Sequence, residues 1–197
     1  MSENTIYIEE YDNINGLYYI EDVIVNPEHI INILDSKEWT NITSNINSRL
    51  VQHYGYIYDY KSRNARIIAP SFLTCLKDLQ ENLSNICLSL DLTTNMIDFN
   101  QCIVNNYYPG QGISKHIDSS VFGDIIGCYT LNSGCNMIFR HDDEIFKLYT
   151  KPNSLYIMST DARYKWTHEM ESKKYDIVDG IKTDRTRRLS ITFRTMM

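Results

Sequence analysis

The second half of the 197-residue chain consists almost entirely of short segments with the character of β-strands. Pro, Gly, Asn and Asp clusters separate these segments, at spacings typical of sandwiches and barrels. They span residues 98–108, 125–131, 135–140, 144–149, 154–159, 166–169 and 188–194. A chain of this length buries roughly 70% of its unfolded surface, which is enough for one hydrophobic core without disulfides or structural metals. The pattern therefore favours a single sheet-rich domain.

Two amphipathic segments precede these strands. Residues 26–34 combine an Asn cap, Pro27 at the first helical position and apolar residues at helical spacing. A second segment follows Pro70, where apolar residues recur every three or four positions from Phe72 to Ile86. Helices followed by many short strands predict an α+β fold, in which N-terminal helices buttress a jelly roll, or double-stranded β-helix.

The apolar runs, the N-terminus and the cysteines together indicate the cellular compartment. The chain has no run of about 20 apolar residues, and its N-terminus is acidic rather than basic then apolar, so we expect neither a membrane span nor secretion. The five cysteines are odd in number and never spaced Cys-x-x-Cys, which favours reduced core thiols in the cytoplasm or nucleus.

Charge is unevenly distributed along the chain. The formal net charge is −6, yet residues 151–197 carry ten basic and six acidic side chains. A polyanion such as nucleic acid can bind a locally basic face despite a negative total, because the local field decides such contacts. A basic face that is simply solvated explains the charge equally well.

A His-x-Asp triplet indicates a metal site. His116 and Asp118 lie two positions apart, on one face of an extended chain, and His168 on a later predicted strand offers a third ligand. Two imidazoles and one carboxylate form the facial triad of non-haem Fe(II) oxygenases, which leaves three coordination positions open. A second triplet, His141 to Asp143, lies between two predicted strands and is expected to be a plain turn.

The last predicted strand alternates strictly between polar and apolar residues. Arg188, Ser190, Thr192 and Arg194 share one face, and three apolar residues share the other. The two arginines, roughly 20 Å apart at their Cα atoms, suit the opposite ends of a short diacid. An edge strand with solvated arginines is the alternative.

From Asn105 to the C-terminus the chain resembles the AlkB family of Fe(II)/2-oxoglutarate dioxygenases. The family pattern Asn-x-Tyr-x-Pro-Gly, His-x-Asp, His and Arg-x5-Arg occurs in order at 105–110, 116–118, His168 and 188–194. Within the family, the chain is most similar to the module that hydroxylates a modified wobble uridine in tRNA. Segments 53–56, 107–113 and 163–168 show this similarity.

The resemblance implies a role for each matching residue. The implied Fe(II) ligands and catalytic residues are His116, Asp118 and His168. The residues implied to bind the cosubstrate 2-oxoglutarate are Asn105, Tyr107, Arg188, Ser190, Thr192 and Arg194. Among them, Arg188 and Tyr107 would bind the distal carboxylate, and Asn105 and Arg194 would serve the end nearer the metal. Such enzymes couple decarboxylation of 2-oxoglutarate to oxidation of a substrate C–H bond.

The substrate is expected to contact the first half of the chain. Tyrosines alternate from Tyr54 to Tyr60 and precede the basic segment 61–66, and aromatic rings with nearby bases suit flipped nucleobases and phosphates. A half-buried tyrosine ladder is the structural alternative. Ser120 stands where the DNA-repairing type has a second acid, which argues against cationic methylated bases. The expected substrate residues are Tyr54, Tyr56, Tyr58, Ser120 and Arg163.

These observations predict one AlkB-like domain, with helical support and a substrate lid in 1–97 and a catalytic jelly-roll core in 98–197. The expected substrate is a modified or alkylated base in tRNA or single-stranded DNA, with tRNA slightly favoured. The same chemistry on a methylated protein side chain or small molecule, and a binding module with a vestigial metal site, are the alternatives. An accessory RNA-binding or methyltransferase partner is also expected, because the chain shows neither domain.

Overall fold

The structure is a computed structural model that describes residues 8–11, 13–43, 48–62 and 64–196. The strands are β1 (Ile8–Glu10), β2 (Leu17–Ile20), β3 (Thr40–Asn41), β4 (Leu50–Tyr54), β5 (Tyr56–Asp59), β6 (Asn64–Ile68), β7 (Gln101–Tyr107), β8 (Ile113–His116), β9 (Ile126–Leu131), β10 (Cys135–His141), β11 (Glu144–Thr150), β12 (Ser154–Met158), β13 (Thr167–Met170), β14 (Tyr175–Val178), β15 (Ile181–Asp184) and β16 (Arg188–Arg194). The helices are α1 (Pro27–Asp35), α2 (Thr74–Ser89) and α3 (Thr160–Tyr164).

Two antiparallel sheets face each other and form the jelly roll. The larger sheet has eight strands in the order β1-β2-β12-β9-β16-β7-β4-β3, and the smaller has four in the order β11-β10-β13-β8. Side chains from both sheets meet in one apolar cluster, where the ring of Phe139 from β10 lies 6.2 Å from that of Tyr156 from β12. The predicted fold class, α+β with a double-stranded β-helix core, is confirmed.

The two longer helices cover the outer face of the larger sheet. Leu34 of α1 and Leu83 of α2 are fully buried in a second cluster, together with Leu189, Ile191 and Phe193 of β16. The other face of β16 turns inward, so this central strand contributes to the core on one side and to the space between the sheets on the other. Both helices lie within three residues of their predicted limits.

The first half contains more sheet than the sequence indicated. β2 pairs with β12, where Tyr19 lies opposite Tyr156, and β4 pairs with β7, where His53 lies opposite Ile103. Both strands are only four or five residues long, and each joins the larger sheet through a partner far away in sequence, while its other edge pairs with the nearby β1 or β3. Residues 1–97, which were expected to provide helical support and a substrate lid, also extend both edges of the larger sheet.

A separate hairpin, β5 and β6, follows β4 directly. Gly55 sits at its base with φ +75°, and a Cβ built there would lie 1.9 Å from the Asn100 carbonyl oxygen. Only glycine combines this left-handed backbone with so close an approach. The Gly55 amide donates to Pro70 O and the Gly55 carbonyl accepts from Ala69 N, which closes the base of the hairpin. Arg63, in the predicted basic segment, lies outside the described residues.

The structure also bears on three smaller expectations. All five cysteines are buried and free, as expected for core thiols. His141 and Asp143 lie at the turn between β10 and β11, as predicted for the second triplet. Within the described part of the chain, no helix has the length and apolar character needed to cross a bilayer.

Candidate active site

The three predicted metal ligands converge between the sheets. β13 pairs with β8 so that His168 lies directly opposite His116, and Asp118 follows two residues after β8 ends. One ligand atom from each residue lies within 4.8 Å of the others. Antiparallel pairing thus brings together two histidines that are 52 positions apart in sequence.

The Asp118 carboxylate is divided between two partners. Its Oδ1 accepts hydrogen bonds from Nε and Nη2 of Arg194, at 3.1 and 2.8 Å. Its Oδ2 is buried with no hydrogen-bond partner among the described residues, and lies 3.6 Å from His168 Nε2. Burial alone would raise the pKa of this carboxyl, but Arg194 and the two imidazoles hold it well below its ordinary value. The carboxylate is therefore ionised and keeps one oxygen for another partner.

Both imidazoles suit a metal in their neutral form. Burial and the neighbouring His116 lower the pKa of His168 to about 3, so its ring is uncharged near neutrality. His116 Nδ1 lies 2.8 Å from the Ser114 carbonyl oxygen, which suits an Nδ1–H donor and leaves Nε2 free. Metal-bound histidines are commonly oriented in this way by a backbone carbonyl. The donor set and the unpartnered carboxylate oxygen fit Fe(II).

A cavity of about 430 Å³, which includes its open mouth, extends from the ligands between the sheets. Arg188 lies in its wall, 4% exposed, and donates from Nη2 to Thr130 Oγ1 at 2.9 Å. Its Nε has no hydrogen-bond partner, and no acidic side chain among the described residues pairs with it. A buried guanidinium without a counter-ion is costly, so this position fits the carboxylate of an incoming ligand.

The other predicted cosubstrate residues line the same cavity. They are Asn105, Tyr107, Ser190, Thr192 and Arg194. The ring of Tyr107 lies 5.8 Å from Arg188 Cζ, next to the expected site of the distal carboxylate. The pairing of Arg194 with Asp118 was not expected, since the sequence indicated only a role toward the cosubstrate. The cavity is thus lined by a buried arginine without an acidic partner among the described residues and by the three predicted metal ligands.

A second, wider cavity of about 970 Å³, again including its open space, lies on the other side of the ligands. Its aromatic wall consists of Tyr58 and Tyr60 from the hairpin and Phe122 from the loop after Asp118. The ring of Tyr58 lies 5.4 Å from that of Phe122 and 5.0 Å from that of Tyr60. Asn105, His116, Asp118 and Arg194 line both cavities, so the two spaces meet at the metal ligands.

Residues 32–194 match the model of the 2OG-Fe(II) oxygenase superfamily. The chain belongs to this superfamily. The enzyme is therefore a dioxygenase whose cofactors are Fe(II) and the cosubstrate 2-oxoglutarate. Fe(II) held by these residues would supply O₂ activation coupled to the decarboxylation of 2-oxoglutarate to succinate and CO₂.

Relatives place the oxygenase in the AlkB group. It is 34% identical over 168 residues to the tRNA (carboxymethyluridine(34)-5-O)-methyltransferase alkbh8 of Xenopus tropicalis, an alignment that covers 83% of this chain and 26% of that protein. It is 30% identical over 191 residues to uncharacterized protein L905 of Acanthamoeba polyphaga mimivirus, covering 94% and 87%. The chain spans about a quarter of the length of the Xenopus relative.

A solved structure supports the fold. OsALKBH1 superimposes with a TM-score of 0.69 over 94% of this chain and 99% of that chain, at 15% identity. At this level of identity the likeness shows the shared fold alone. The superfamily match and the relatives confirm the resemblance to the AlkB family.

Of the residues expected to contact substrate, some lie at the wider cavity and others do not. Tyr58 of the oxygenase lines the wider cavity, and exposed Ser120 lies in the loop after Asp118 without lining it. Tyr56 is half-buried on the hairpin and lines neither cavity at the site. Tyr54 is 4% exposed in the core, where its hydroxyl donates to Gln52 and burial raises its pKa to about 12. Direct contact of Tyr54 with substrate is therefore corrected to a packing role.

Arg163 also lies away from the cavities. It is 2% exposed and donates to four backbone carbonyls of the loop, those of Asp118, Ser119, Phe122 and Gly123, at 2.8 to 3.1 Å. Its expected substrate contact is corrected, because all of these bonds hold the loop that carries the metal carboxylate and Phe122. Arg163 thus positions Asp118 from behind.

Sequence reasoning missed Arg49, Lys115 and Phe122, which all line the wider cavity. Arg49 precedes β4 in a region with no recognisable motif, and it reaches the site through Asn105, 56 positions later. Lys115 lies between motif residues but is exposed at the cavity rim. Phe122 lies four residues after the metal carboxylate, and its ring packs 4.8 Å from Arg194 Cζ. For Phe122, the one sequence feature that could have indicated a place in the site is its closeness to Asp118.

Proposed function

We propose that this oxygenase oxidises a modified base in nucleic acid, with tRNA favoured over single-stranded DNA. The observation that supports it is the wider cavity, which meets the metal ligands and has an aromatic wall of Tyr58, Tyr60 and Phe122. Enzymes that act on a nucleobase take it out of the stack and hold it against such rings. The Xenopus relative is named for a modified uridine of tRNA, which favours RNA.

The residues of the site would divide the work. His116, Asp118 and His168 would hold Fe(II), and Arg188 would bind the distal carboxylate of 2-oxoglutarate, its charge matched only when the cosubstrate is present. The 430 Å³ cavity next to Arg188, called the inner cavity below, is lined by the apolar side chains of Met137, Met158 and Met170, which limit water there. Tyr58 and Tyr60 would hold the base beside the metal ligands, with the buried ring of Phe122 packed behind Tyr58.

The chemistry on the base is hydroxylation or demethylation, both of which begin by oxidation of a C–H bond on the substituent. The methyl transfer in the name of the Xenopus relative is not carried over, because the chain covers only 26% of that protein. We propose that a separate RNA-binding or methyltransferase partner complements the domain, and that both act in the cytoplasm or nucleus. A methylated protein side chain or small molecule is not favoured, since nothing in the relatives' names indicates one.

Nucleoside mass spectrometry tests the proposal. The protein is incubated with Fe(II), 2-oxoglutarate and O₂ against bulk tRNA and against methylated single-stranded DNA, with Asp118→Ala as control. A gain of one oxygen on a tRNA uridine that depends on Asp118 is the expected result. Loss of methyl groups from DNA alone would redirect the proposal to repair. No change in either nucleic acid, with succinate still formed, would refute it.

A further inference from the structure

Arg49, a cation in the wall of the wider cavity, has no acidic partner among the described residues. Arg49 is half-buried immediately before β4, and its Nε donates to Asn105 Oδ1 at 2.8 Å. Its Cζ lies 5.9 Å from the ring centroid of Tyr60 and 5.7 Å from that of Tyr107. These neutral contacts hold the guanidinium in place without neutralising its charge. Arg49 therefore keeps its charge and further N–H donors for a ligand.

Arg49 contacts two residues near the place where the cavities meet. Its hydrogen-bond partner Asn105 lines both cavities, and Tyr107, over which it stacks, lines the inner cavity. The guanidinium is thus next to the junction where the metal ligands meet, away from the exposed Lys115 at the rim. A group that reaches Arg49 belongs to the part of the substrate that enters the cavity.

The cavity offers no free carboxylate to a positively charged base. Asp118 is the one acidic residue among the described residues that line it. Arg194 occupies Asp118 Oδ1, and the remaining Oδ2 faces His168 in the metal cluster. Arg49 and Lys115 are the cations of the wall that have no acidic partner within the part of the chain that the structure describes. A base with a formal positive charge would be repelled here, while an oxygen acceptor would be attracted.

We infer that Arg49 is a specificity-determining residue that binds an oxygen-bearing substituent on the nucleobase, a carboxylate most strongly and a neutral carbonyl less so. This inference rests on the proposed function and names the substrate class for that site. A carboxylate suits the guanidinium because the planar donor fork forms two parallel, charge-assisted hydrogen bonds. A backbone phosphate offers the same oxyanion chemistry, but the bond from Arg49 to Asn105, which lines both cavities, favours the group on the base.

A graded series of substrates tests the inference. Short single-stranded RNAs would differ only at one uridine, whose C5 substituent is a carboxymethyl group, its neutral methyl ester or a propyl group; a fourth RNA would carry cationic 1-methyladenosine. For the native protein, kcat/KM should fall in the order carboxylate, ester, propyl, with roughly 10- to 100-fold between the ends of the series. The cationic RNA should be the poorest. Equal use of the three uridines, or preference for the cationic base, would overturn the inference.

Substitutions attribute the preference to Arg49. Arg49→Met should raise KM for the carboxylate RNA roughly 10- to 100-fold and leave the propyl RNA almost unchanged, so that the series becomes flat. Arg49→Lys should restore part of the preference, since it keeps the charge but loses the fork. Arg66→Met is the matched control, because Arg66 is exposed on β6 and lines neither cavity. Affinity measured without O₂, with a redox-inert divalent metal, should follow the same order.

Three further outcomes would overturn the inference. If Arg49→Met weakened all four RNAs equally and reduced the salt dependence of binding, Arg49 would contact phosphate. If it raised the KM for 2-oxoglutarate, Arg49 would serve the cosubstrate. If bulk tRNA were oxidised and the series showed no dependence on Arg49, the inference alone would fail. If the native protein neither bound nor oxidised any nucleic acid, the proposed function would fail first.

Discussion

Arg194 and Asp118, 76 positions apart in sequence, form a contact in which two guanidinium nitrogens, Nε and Nη2, both donate to one carboxylate oxygen. The contact neutralises the buried charge of Asp118. Its second oxygen has no hydrogen-bond partner among the described residues and lies 3.6 Å from His168 Nε2. An aspartate in this setting needs no proton when the metal is absent, and it presents one fixed oxygen when the metal arrives. The arginine thereby orients the metal ligand.

Asp118→Asn should abolish Fe(II) binding, because an amide brings no negative charge to the two neutral imidazoles. In the native protein, Fe(II) added without O₂ should raise the melting temperature, since a ligand that binds only the folded state stabilises it. The variant should show no such rise. Asp143→Asn, in the second His-x-Asp triplet at the β10–β11 turn, should behave like the native protein. A rise in the Asp118→Asn melting temperature equal to that of the native protein would contradict the assignment.

Arg188→Met should raise the KM for 2-oxoglutarate by roughly 100-fold or more, because it removes the buried guanidinium that lacks a counter-ion. Stabilisation by Fe(II) should persist. The neighbouring Arg187 offers a matched control, since it points away from the cavity and pairs with Asp35 at 2.7 Å. Succinate formation at increasing 2-oxoglutarate concentrations is the measurement, and an unchanged KM in Arg188→Met would place the cosubstrate elsewhere.

Arg163→Met should destabilise the protein by about 2–4 kcal/mol, because several loop carbonyls would lose their buried donor. Arg140→Met is the comparison: its ion pair with Glu169 is partly exposed, and such pairs contribute about 0–1 kcal/mol. Urea unfolding of the metal-free proteins gives both values. Since the loop carries Asp118, Arg163→Met should also weaken Fe(II) binding. Equal stability of the two variants would show that the loop holds its shape without Arg163.

His53 should make stability depend on pH. Its ring lies under the hairpin, where Nδ1 accepts a hydrogen bond from the Tyr58 amide at 3.4 Å, and burial together with Arg194 lowers its pKa to about 4. The unfolded chain takes up a proton near pH 6.5 and the folded protein does not, so this contribution is present above that pH and is lost as the pH falls toward 4.

The measurement is urea unfolding of native protein and His53→Gln between pH 4 and 7. The stability of the native protein should fall more steeply over this range than that of His53→Gln. His29→Gln, at an exposed position of α1, should retain the native slope. Parallel curves for native protein and His53→Gln would show that His53 is not held in its neutral form by the fold.

The sequence predicted those parts of the molecule that repeat or that match a spaced motif. The alternation of residues 188–194 predicted β16 with its exact limits, and the strands on either side of the β10–β11 turn were predicted to within one residue. Turn residues mark the hairpin between β10 and β11, and the alternation of β16 separates an apolar face under the helices from a polar face in the cavity, both of them buried. The metal triad was predicted from the motif residues and their order. Because His116 and His168 both lie on strands, antiparallel pairing brings the two side chains together.

The contacts that no local pattern encodes were not predictable. β2 and β4 are short, and each becomes a strand because a distant partner satisfies its backbone. The alternation placed Arg194 on the inward face, but nothing in it showed that the side chain would reach Asp118. Arg163 looked like a substrate residue because it stands in a motif next to His168, whereas its environment depends on a loop folded over it. Arg49 was missed for the same reason, as its neighbours come from β7 and the hairpin.

The two faces of β16 impose a constraint on the length of this strand. Its inward residues supply both cavities at the metal, and its outward residues Leu189, Ile191 and Phe193 anchor the helical layer. Inserting or deleting one residue would exchange the faces, since side chains alternate with a period of two. Arginines would then enter the packed layer under α2, and leucine, isoleucine and phenylalanine would fill the cosubstrate cavity. Chemistry and folding would fail together, so the number of residues in this strand is as restricted as the identity of the metal ligands.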